Sequence, residues 1–302
     1  MLSRAAVPAQ RGLPTLRDVW NNCAMIAQPI AKADLIEGMA KGMAVLESFD
    51  TERQRLNATL AAERAGLTRA AARRHLLTLA HLGYLDTDGS YFWLSAKVLR
   101  FSGSYLASAR LPRAVQPTLN RLAAQTQESF SVAVLDGDAV VIVARSVTLA
   151  PAAGWADWDT SLGGPARQLP RTRLVAHGLH LGARLPAHAT STGRILLAAL
   201  PRPALQAWLK GRLLPRLTPH TLVEHKALKS LLDTVRRQDH CLASEEHELG
   251  VHALAVPLRD MSGRTVAALN AVLSPQRLHS GWAQAELLPL LQDAARELRP
   301  VL

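Results

Sequence analysis

The sequence predicts an α+β fold: a small helical head closed by a β-hairpin, a connecting helix, and a larger body of strand pairs and helices. Three observations predict it. Between residues 35 and 95, three short helical periodicities precede two β-prone runs around Asp88-Gly89, a strong turn signal. The character of the chain changes after Pro112. Beyond that point, strand-like runs such as "FSVAVLDGDAVVIVA" alternate with amphipathic stretches such as "RAVQPTLNRLAAQTQ".

The bulk numbers bound the possibilities. A chain of 302 residues with 48% hydrophobic residues can bury a core in each of one or two domains. No run approaches the ~18 uncharged apolar residues of a membrane span. Cys23 and Cys241 cannot make a disulfide framework, so a reducing cytoplasm is expected, with no membrane partner. Arg4 and Arg11 are not followed by an apolar secretory segment. The net charge of +11 favours an anionic partner: nucleic acid, an acidic metabolite or a membrane surface.

Each element has its own signal. Residues 1–34 hold Pro8, Pro14 and Pro29 without clean periodicity and read as a disordered tail. Residues 35–95 form the head. "GMAKGMAVLESF" sets Met39, Met43, Leu46 and Phe49 at helical spacing. Asn57 is placed to cap a second helix that Gly66 stops; Thr68 caps a third, "RAAARRHLLTLAHL", that Gly83 stops. Residues 96–110 read as a linker helix and 111–302 as the body. Within the body, residues 151–170 are a Pro/Gly/Trp-rich loop with no assigned structure. "TSTGRILLAAL", "ALQAWL" and residues 221–238 read as helices. "HALAVPLRD" and "TVAALNAVLS" read as strands about Met261-Ser262-Gly263. A last helix starts near Ser280, with a kink expected at Pro289.

Two helices joined by a glycine turn make a helix-turn-helix, and the hairpin after them makes it winged. The second helix of such a pair lies in the DNA major groove. At 100° per residue, Ala72, Leu76 and Leu79 share one face; Ala70 and Arg74 point away, with Arg69 and Arg73 on a flank. From Arg64 to Leu85 there are four arginines, two histidines and no acid. A carboxylate there would repel phosphate, whereas arginine clamps phosphate or bonds guanine. The DNA-binding candidates are Thr68 (as cap), Arg69, Ala70, Arg73 and Arg74, with Ser90 and Tyr91 on the wing. Leu77 falls on the exposed side, to pack on the preceding helix or meet a thymine methyl. A solvated basic face is the competing reading of any such helix. The ordered set of capped helix, glycine turn, basic helix and hairpin favours DNA.

The segments "GMAVLESFD", "LAAERAGLTRAAARRHLLTLAHLGYLDTDGSYFWLSAKVLRF", "HATSTGRILLAAL" and "EEHELGVHALAVPLRDMSGRTVAALN" resemble, in order, the IclR family of bacterial transcription regulators. The similarity covers about residues 36–300 and is strongest to the branch that controls protocatechuate and 4-hydroxybenzoate catabolism. The resemblance implies a winged helix-turn-helix, a dimerising linker helix, and a C-terminal effector-binding domain built on an antiparallel sheet flanked by helices. It also implies a homodimer or dimer of dimers on double-stranded DNA carrying a palindromic operator, with a small carboxylate as effector. The segment 151–170 stands as an insertion, and the N-terminal tail is long for the family.

In the body, Thr190, Ser191 and Thr192 sit where a helix begins, and free N–H groups there attract anions. Gly193 permits close backbone approach. Between Asp159 and Glu224 there are nine basic residues and no acid, Arg171, Arg173, Arg184 and Arg194 among them, so the local field favours a carboxylate. Ordinary helix capping accounts for the same hydroxyls. The resemblance makes this segment one wall of an effector pocket and "CLASEEHELGVHALAVPL" the second. His252, Ala253 and Asn270 are candidate ligand contacts, and a satisfied polar core residue is the plain alternative for His252 and Asn270. Glu246 and Glu248 are expected to bond backbone near Gly250. Trp155 and Trp158 could form a lid, although a surface loop fits them as well.

Enzyme and cofactor signals are weak. There is no GxSxG elbow, Walker loop or GxGxxG, so no cofactor is called for. Cys241, His247 and His252 lack a zinc-site spacing, so no metal is expected. Ser191 beside His188 has no third orienting group, so no catalytic residue is assigned. A hydrolase-type enzyme, or an interaction protein using the winged helix to hold a partner, remains as the alternative.

Overall fold

The computed structural model describes residues 31, 33–50, 53–146, 180–273, 277–278 and 280–302. Residues 1–30 of the expected tail, the 151–170 insertion with Trp155 and Trp158, and Arg171 and Arg173 lie outside the described residues. Contacts divide the chain into two units, Met1–Ser108 and Ala109–Leu302.

The first unit holds helices α1 (Glu37–Leu46), α2 (Ala58–Ala65) and α3 (Arg69–His81), then strands β1 (Leu85–Thr87) and β2 (Phe92–Leu94). Its boundaries follow from local chemistry. The Asn57 carboxamide accepts from the N–H groups of Thr59 and Leu60 (3.1 and 2.9 Å) and starts α2. Gly66 ends it at φ 63°, where a side chain would be strained. Thr68 Oγ1 accepts from Ala71 N (3.3 Å) and starts α3. Leu56 bridges to Phe92 as a third, one-residue strand of the wing sheet. Val45, Phe49, Leu56, Ala72, Leu76, Leu79, Leu85 and Phe92 close the core. The face expected on α3 is therefore the buried one. On α1, the helical spacing of Met39 and Met43 does not mark a core face: both are exposed, and Val45 is buried in their place.

A 3-10 turn at Ala96–Val98 leads into α4 (Leu99–Ser108). It is tied to the end of α3 by Ser95 Oγ donating to Gly83 O and Lys97 Nζ donating to Leu82 O, both 2.6 Å. No residue of α4 is buried, and Leu99, Phe101, Tyr105 and Leu106 are all exposed.

The second unit opens with α5 (Arg110–Thr126), a helix that carries Pro117 in its interior. It is built on a six-stranded antiparallel sheet of β3 (Ser129–Asp136), β4 (Ala139–Arg145), β5 (Arg184–Pro186), β6 (Cys241–Ser244), β7 (His252–Arg259) and β8 (Thr265–Leu273). The spatial order is β5-β4-β3-β8-β7-β6. Strand alternation gives the sheet two faces. Phe130, Val132, Leu254, Val256, Leu258, Leu269, Ala271 and Leu273 form one. They pack on Val115, Leu119 and Leu122 of α5 and on Leu291, Ala294 and Leu298 of α9 (Leu288–Leu298). Pro289 sits in the first turn of α9, directly after a π-helical turn at Ala283–Leu287. Its missing N–H thus falls where a helix needs none, and the expected kink is a change of helix type.

The other face carries α6 (Ser191–Ala199), which packs against β3, β4, β6, β7 and β8. Ser191 through Ala198 are all buried. α7 (Arg202–Leu209) and α8 (His225–Gln238) follow, with Leu228, Leu232 and Val235 of α8 turned inward. The helix expected from residue 221 begins at His225, because Thr221 is bound into the loop before it.

Candidate effector cavity and DNA-facing helix

Helix α6 enters the body with its first turn at the edge of a cavity. Thr190 is its cap: Oγ1 accepts from Gly193 N and donates to Pro186 O, both 3.2 Å. The N–H groups of Ser191 and Thr192, in the first turn, have no partner within the helix. A preceding 3-10 turn, Ala187–Ala189, lies so close that a Cβ on residue 193 would fall 2.1 Å from Ala187 O. Gly193 therefore serves contact between two pieces of this chain's own backbone.

The cavity, about 50 Å³, is lined at this end by Thr190, Ser191 and Thr192. This space holds several waters' worth of volume. Apolar walls come from Leu185, Ala243, Val251, Ala253 and Val272, and further polar groups from Glu246, His247, Glu248 and Asn270. Ser131 Oγ donates to Asn270 Oδ1 (2.5 Å), which leaves the side-chain amide N–H on Nδ2 as the donor Asn270 can offer a ligand. Of the residues expected from sequence, Thr190, Ser191, Thr192, Ala253 and Asn270 come together here.

Gly193 and His252 do not line the cavity. For Gly193 the reason is the Ala187 backbone. For His252 it is the period of a strand: Ala253 pairs with Val272 on the cavity side, so His252, paired with Leu273, faces the opposite way. His252 is buried there, and its Nδ1 finds no hydrogen-bond partner among the described residues.

Sequence reasoning did not place His247 at the ligand and, Ala253 apart, left out the apolar lining. The small residues Ala243 and Ala253 are directly paired across β6 and β7 and leave this part of the wall open.

The electrostatics differ from the expectation of a free basic field. Arg194, 1% exposed, points both guanidinium arms at the Glu246 carboxylate, Nη1 to Oε1 at 2.5 Å, and its Nε donates to His188 O (2.8 Å). Leu222 N also donates to Glu246 Oε2 (3.0 Å). Arg184 pairs with Asp136, and Arg212 with Asp138 (3.6 Å) while stacking on Trp208 (4.5 Å). Among the described residues of the stretch without acids, Arg184, Arg194 and Arg212 are thus matched by acids from β3–β4 and from the turn after β6. Gly250 N is bonded by Glu245 Oε1 (2.9 Å), rather than by Glu246 or Glu248. Burial pushes the Cys241 thiol up to about 11, so it stays protonated beside Arg194. His188 shares a 3.0 Å contact between its Nε2 and Pro215 O and is therefore not poised as a base for Ser191.

In the other unit, Thr68, Arg69, Ala70, Arg73, Arg74 and Leu77 are all on the exposed surface of α3, and Ser90 and Tyr91 are exposed on the wing. Leu77 is 42% exposed, on the outer side of α3 as expected. Burial, with Arg74 and Lys41 nearby, holds His75 below the usual histidine range, so at neutral pH the positive charge of this face is arginine charge.

Two expectations follow for the body. Glu246→Gln should lower its unfolding free energy by about 3 kcal/mol, because it leaves a buried guanidinium without its counter-charge; urea unfolding read by circular dichroism measures this. His188 and His247 are both held below the usual histidine range, first of all by burial. The unfolded chain takes up protons on them below about pH 6.5, and the folded chain only at lower pH. Stability present above that value is therefore lost as pH falls through it. The urea midpoint should drop between pH 7.5 and 5.5, and less steeply in His247→Gln.

Comparison with known proteins completes the site. Residues 38–89 match the IclR helix-turn-helix domain and residues 167–299 the C-terminal domain of the bacterial transcriptional regulator IclR. The Pca operon regulatory protein of Acinetobacter baylyi is 50% identical over 90% of this chain and 91% of its own length. The p-hydroxybenzoate hydroxylase transcriptional activator of the same organism is 47% identical over 90% of this chain and 94% of its own length. The inducer-binding domain of the Acinetobacter PobR transcription factor, solved as a double mutant with 3-hydroxybenzoic acid, is 41% identical. It superposes with a TM-score of 0.53 over 63% of this chain and 98% of its own. The chain belongs to the IclR family of bacterial transcriptional regulators.

Proposed function

We propose that the body binds a small aromatic carboxylate, and that this ligand sets the operator affinity of a regulator of aromatic-acid catabolism. The observation that carries the reading is the cavity itself, which joins a helix N-terminus and an amide donor to walls of small apolar side chains. The hydroxyls and first-turn N–H groups of Thr190, Ser191 and Thr192 receive the carboxylate. Asn270 Nδ2 and His247 meet a polar substituent, and Ala243, Ala253 and Val272 hold the ring. Relatives named for p-hydroxybenzoate and for the Pca operon, and the related domain bound to 3-hydroxybenzoic acid, support this class of ligand.

On the DNA side, Arg73 and Arg74 reach base edges or phosphates, Arg69 and Ala70 allow close approach at the helix start, and Ser90 and Tyr91 touch the backbone from the wing. The exposed row Leu99, Phe101, Tyr105 and Leu106 on α4 supplies an apolar stripe that a second copy covers. Two heads then read a two-fold operator with half-sites about one helical turn apart or a multiple of it. A ligand shifts such an assembly only by binding one arrangement of the heads better than another.

Titration calorimetry against 4-hydroxybenzoate, 3-hydroxybenzoate, protocatechuate and β-ketoadipate tests the ligand class. At least one should bind, and Asn270→Leu should weaken it about tenfold, the loss of one hydrogen bond to a charged or strongly polar group. Turnover of an ester with no binding of any acid would favour the hydrolase reading instead. Arg74→Ala should weaken binding to a duplex selected by the wild-type protein by about 1–3 kcal/mol, measured by fluorescence anisotropy at fixed salt.

A further inference from the structure

The recognition helix carries no acid, but the wing carries two. Asp86 and Asp88 are both exposed on the β1 side of the hairpin. Near phosphate they oppose binding, and the fold answers one of them. Arg55, which precedes the one-residue strand at Leu56, sends its guanidinium across the solvent side of the wing. Its Cζ lies 4.6 Å from the ring centroid of Trp93 and 5.8 Å from that of Tyr91. Tyr91, just before β2, and Trp93 on it are two apart and share that face, while Phe92 between them enters the core. Arg55 Nη2 donates to Asp88 Oδ2 at 2.5 Å.

Two features make this arrangement more than a surface staple. The pair is open to water, with side chains 56% and 44% exposed, so its net worth is small and its partner is exchangeable. Asp88 also has a second task that its other oxygen performs: Oδ1 accepts from Ser90 N (3.0 Å) and Tyr91 N (2.7 Å) and shapes the wing turn. These bonds hold the Asp88 carboxyl below the usual carboxylate range, so it is charged at neutral pH. The aromatic stack orients the fork of Arg55 independently of Asp88, and a fork so held suits a phosphate.

We infer that Arg55 is a further phosphate contact of the wing, oriented by Trp93 and Tyr91, and that a DNA phosphate takes the place of Asp88 as its partner. Asp88 holds the guanidinium at the wing tip until DNA arrives, and its charge works against the bound state. The inference rests on the DNA-binding reading of the head.

The test uses the full-length chain and a duplex that the wild type selects from a random-sequence pool, with affinity measured across a series of salt concentrations. Arg55→Ala is expected to weaken binding about tenfold and to reduce the slope of log affinity against log salt by about 0.9 per head, one phosphate contact. Asp88→Asn keeps the turn-forming carbonyl and is expected to tighten binding several-fold. The double variant Arg55→Ala/Asp88→Asn decides between contact and masking. If Arg55 meets phosphate, the double variant stays weaker than the wild type and keeps the reduced slope. If it binds as the wild type does with an unchanged slope, the inference is overturned, because Arg55 then only cancels Asp88. Arg55→Lys checks folding: charge is kept and the fork is lost, so intermediate affinity with the wild-type slope supports the contact. A wild type that selects no duplex ends both this inference and the reading beneath it. A wild type that binds, matched by the double variant, ends this inference alone.

Discussion

The body is organised around one ion pair, Arg194 with Glu246. Arg194 lies in the middle of α6, a helix buried on all sides against the sheet and α8. A guanidinium 1% exposed is tolerable there only if its charge and its donors are met. The Glu246 carboxylate meets two arms, and the His188 carbonyl meets Nε. Such pairs rarely add net stability over a hydrophobic equivalent, so their effect is better sought in geometry. Here the geometry is extensive. Glu246 is held in the turn after β6, and its backbone carbonyl accepts from Thr221 Oγ1 (2.7 Å). Thr218 Oγ1 does the same for Glu245 O (2.6 Å). The loop before α8 is thereby strapped to the turn that walls the cavity.

That constraint decides how the cavity treats a charged ligand. Because Arg194 is already matched, it is not a free cation for a carboxylate, and none of the basic residues of the stretch is among those that line the cavity. What remains is directional: the first-turn N–H groups and hydroxyls of α6 at one end, and the Asn270 side-chain amide N–H at another. Such donors orient an anion while leaving the net charge of the wall unchanged. A ligand seated against Ser191 and Thr192 also lies near Glu246, which the strap joins to residues 218–222. Any preference of the ligand for one position of Glu246 becomes a preference for one position of that strap. This is the kind of differential contact an effector needs to shift an equilibrium.

The parts legible in sequence were those set by neighbours in sequence. Asn57, Gly66, Thr68 and Gly83 mark helix ends through bonds and backbone angles spanning a few residues, and they were found where expected. Hairpin turns at Asp88-Gly89 and Asp136-Gly137 were legible for the same reason. The cavity residues on α6 were visible because a helix start declares itself. Illegible were the facts that depend on distant partners. Arg194 meets an acid 52 positions away, and Arg184 one 48 positions away, so a local charge count misjudged both. Choosing both His252 and Ala253 set adjacent strand residues on one face, which alternation forbids. Gly193 was rightly read as a close approach, but the approaching group is Ala187 and no ligand.

The same chemical pair carries opposite consequences in the two units, and burial is what divides them. Arg194 and Glu246 are joined with the guanidinium shut away from water, so their union is fixed and the surrounding loops conform to it. Arg55 and Asp88 are joined in water, where screening makes the union cheap to leave. A protein that must hold a pocket in shape needs the first kind. A surface that must exchange one anion for another on meeting DNA needs the second, with the cation oriented by something other than its temporary partner. The aromatic rings of Tyr91 and Trp93 provide that orientation, since a stack on a ring face leaves the in-plane donors of arginine free. Counting ion pairs would score the two alike; exposure separates a structural bond from a replaceable one.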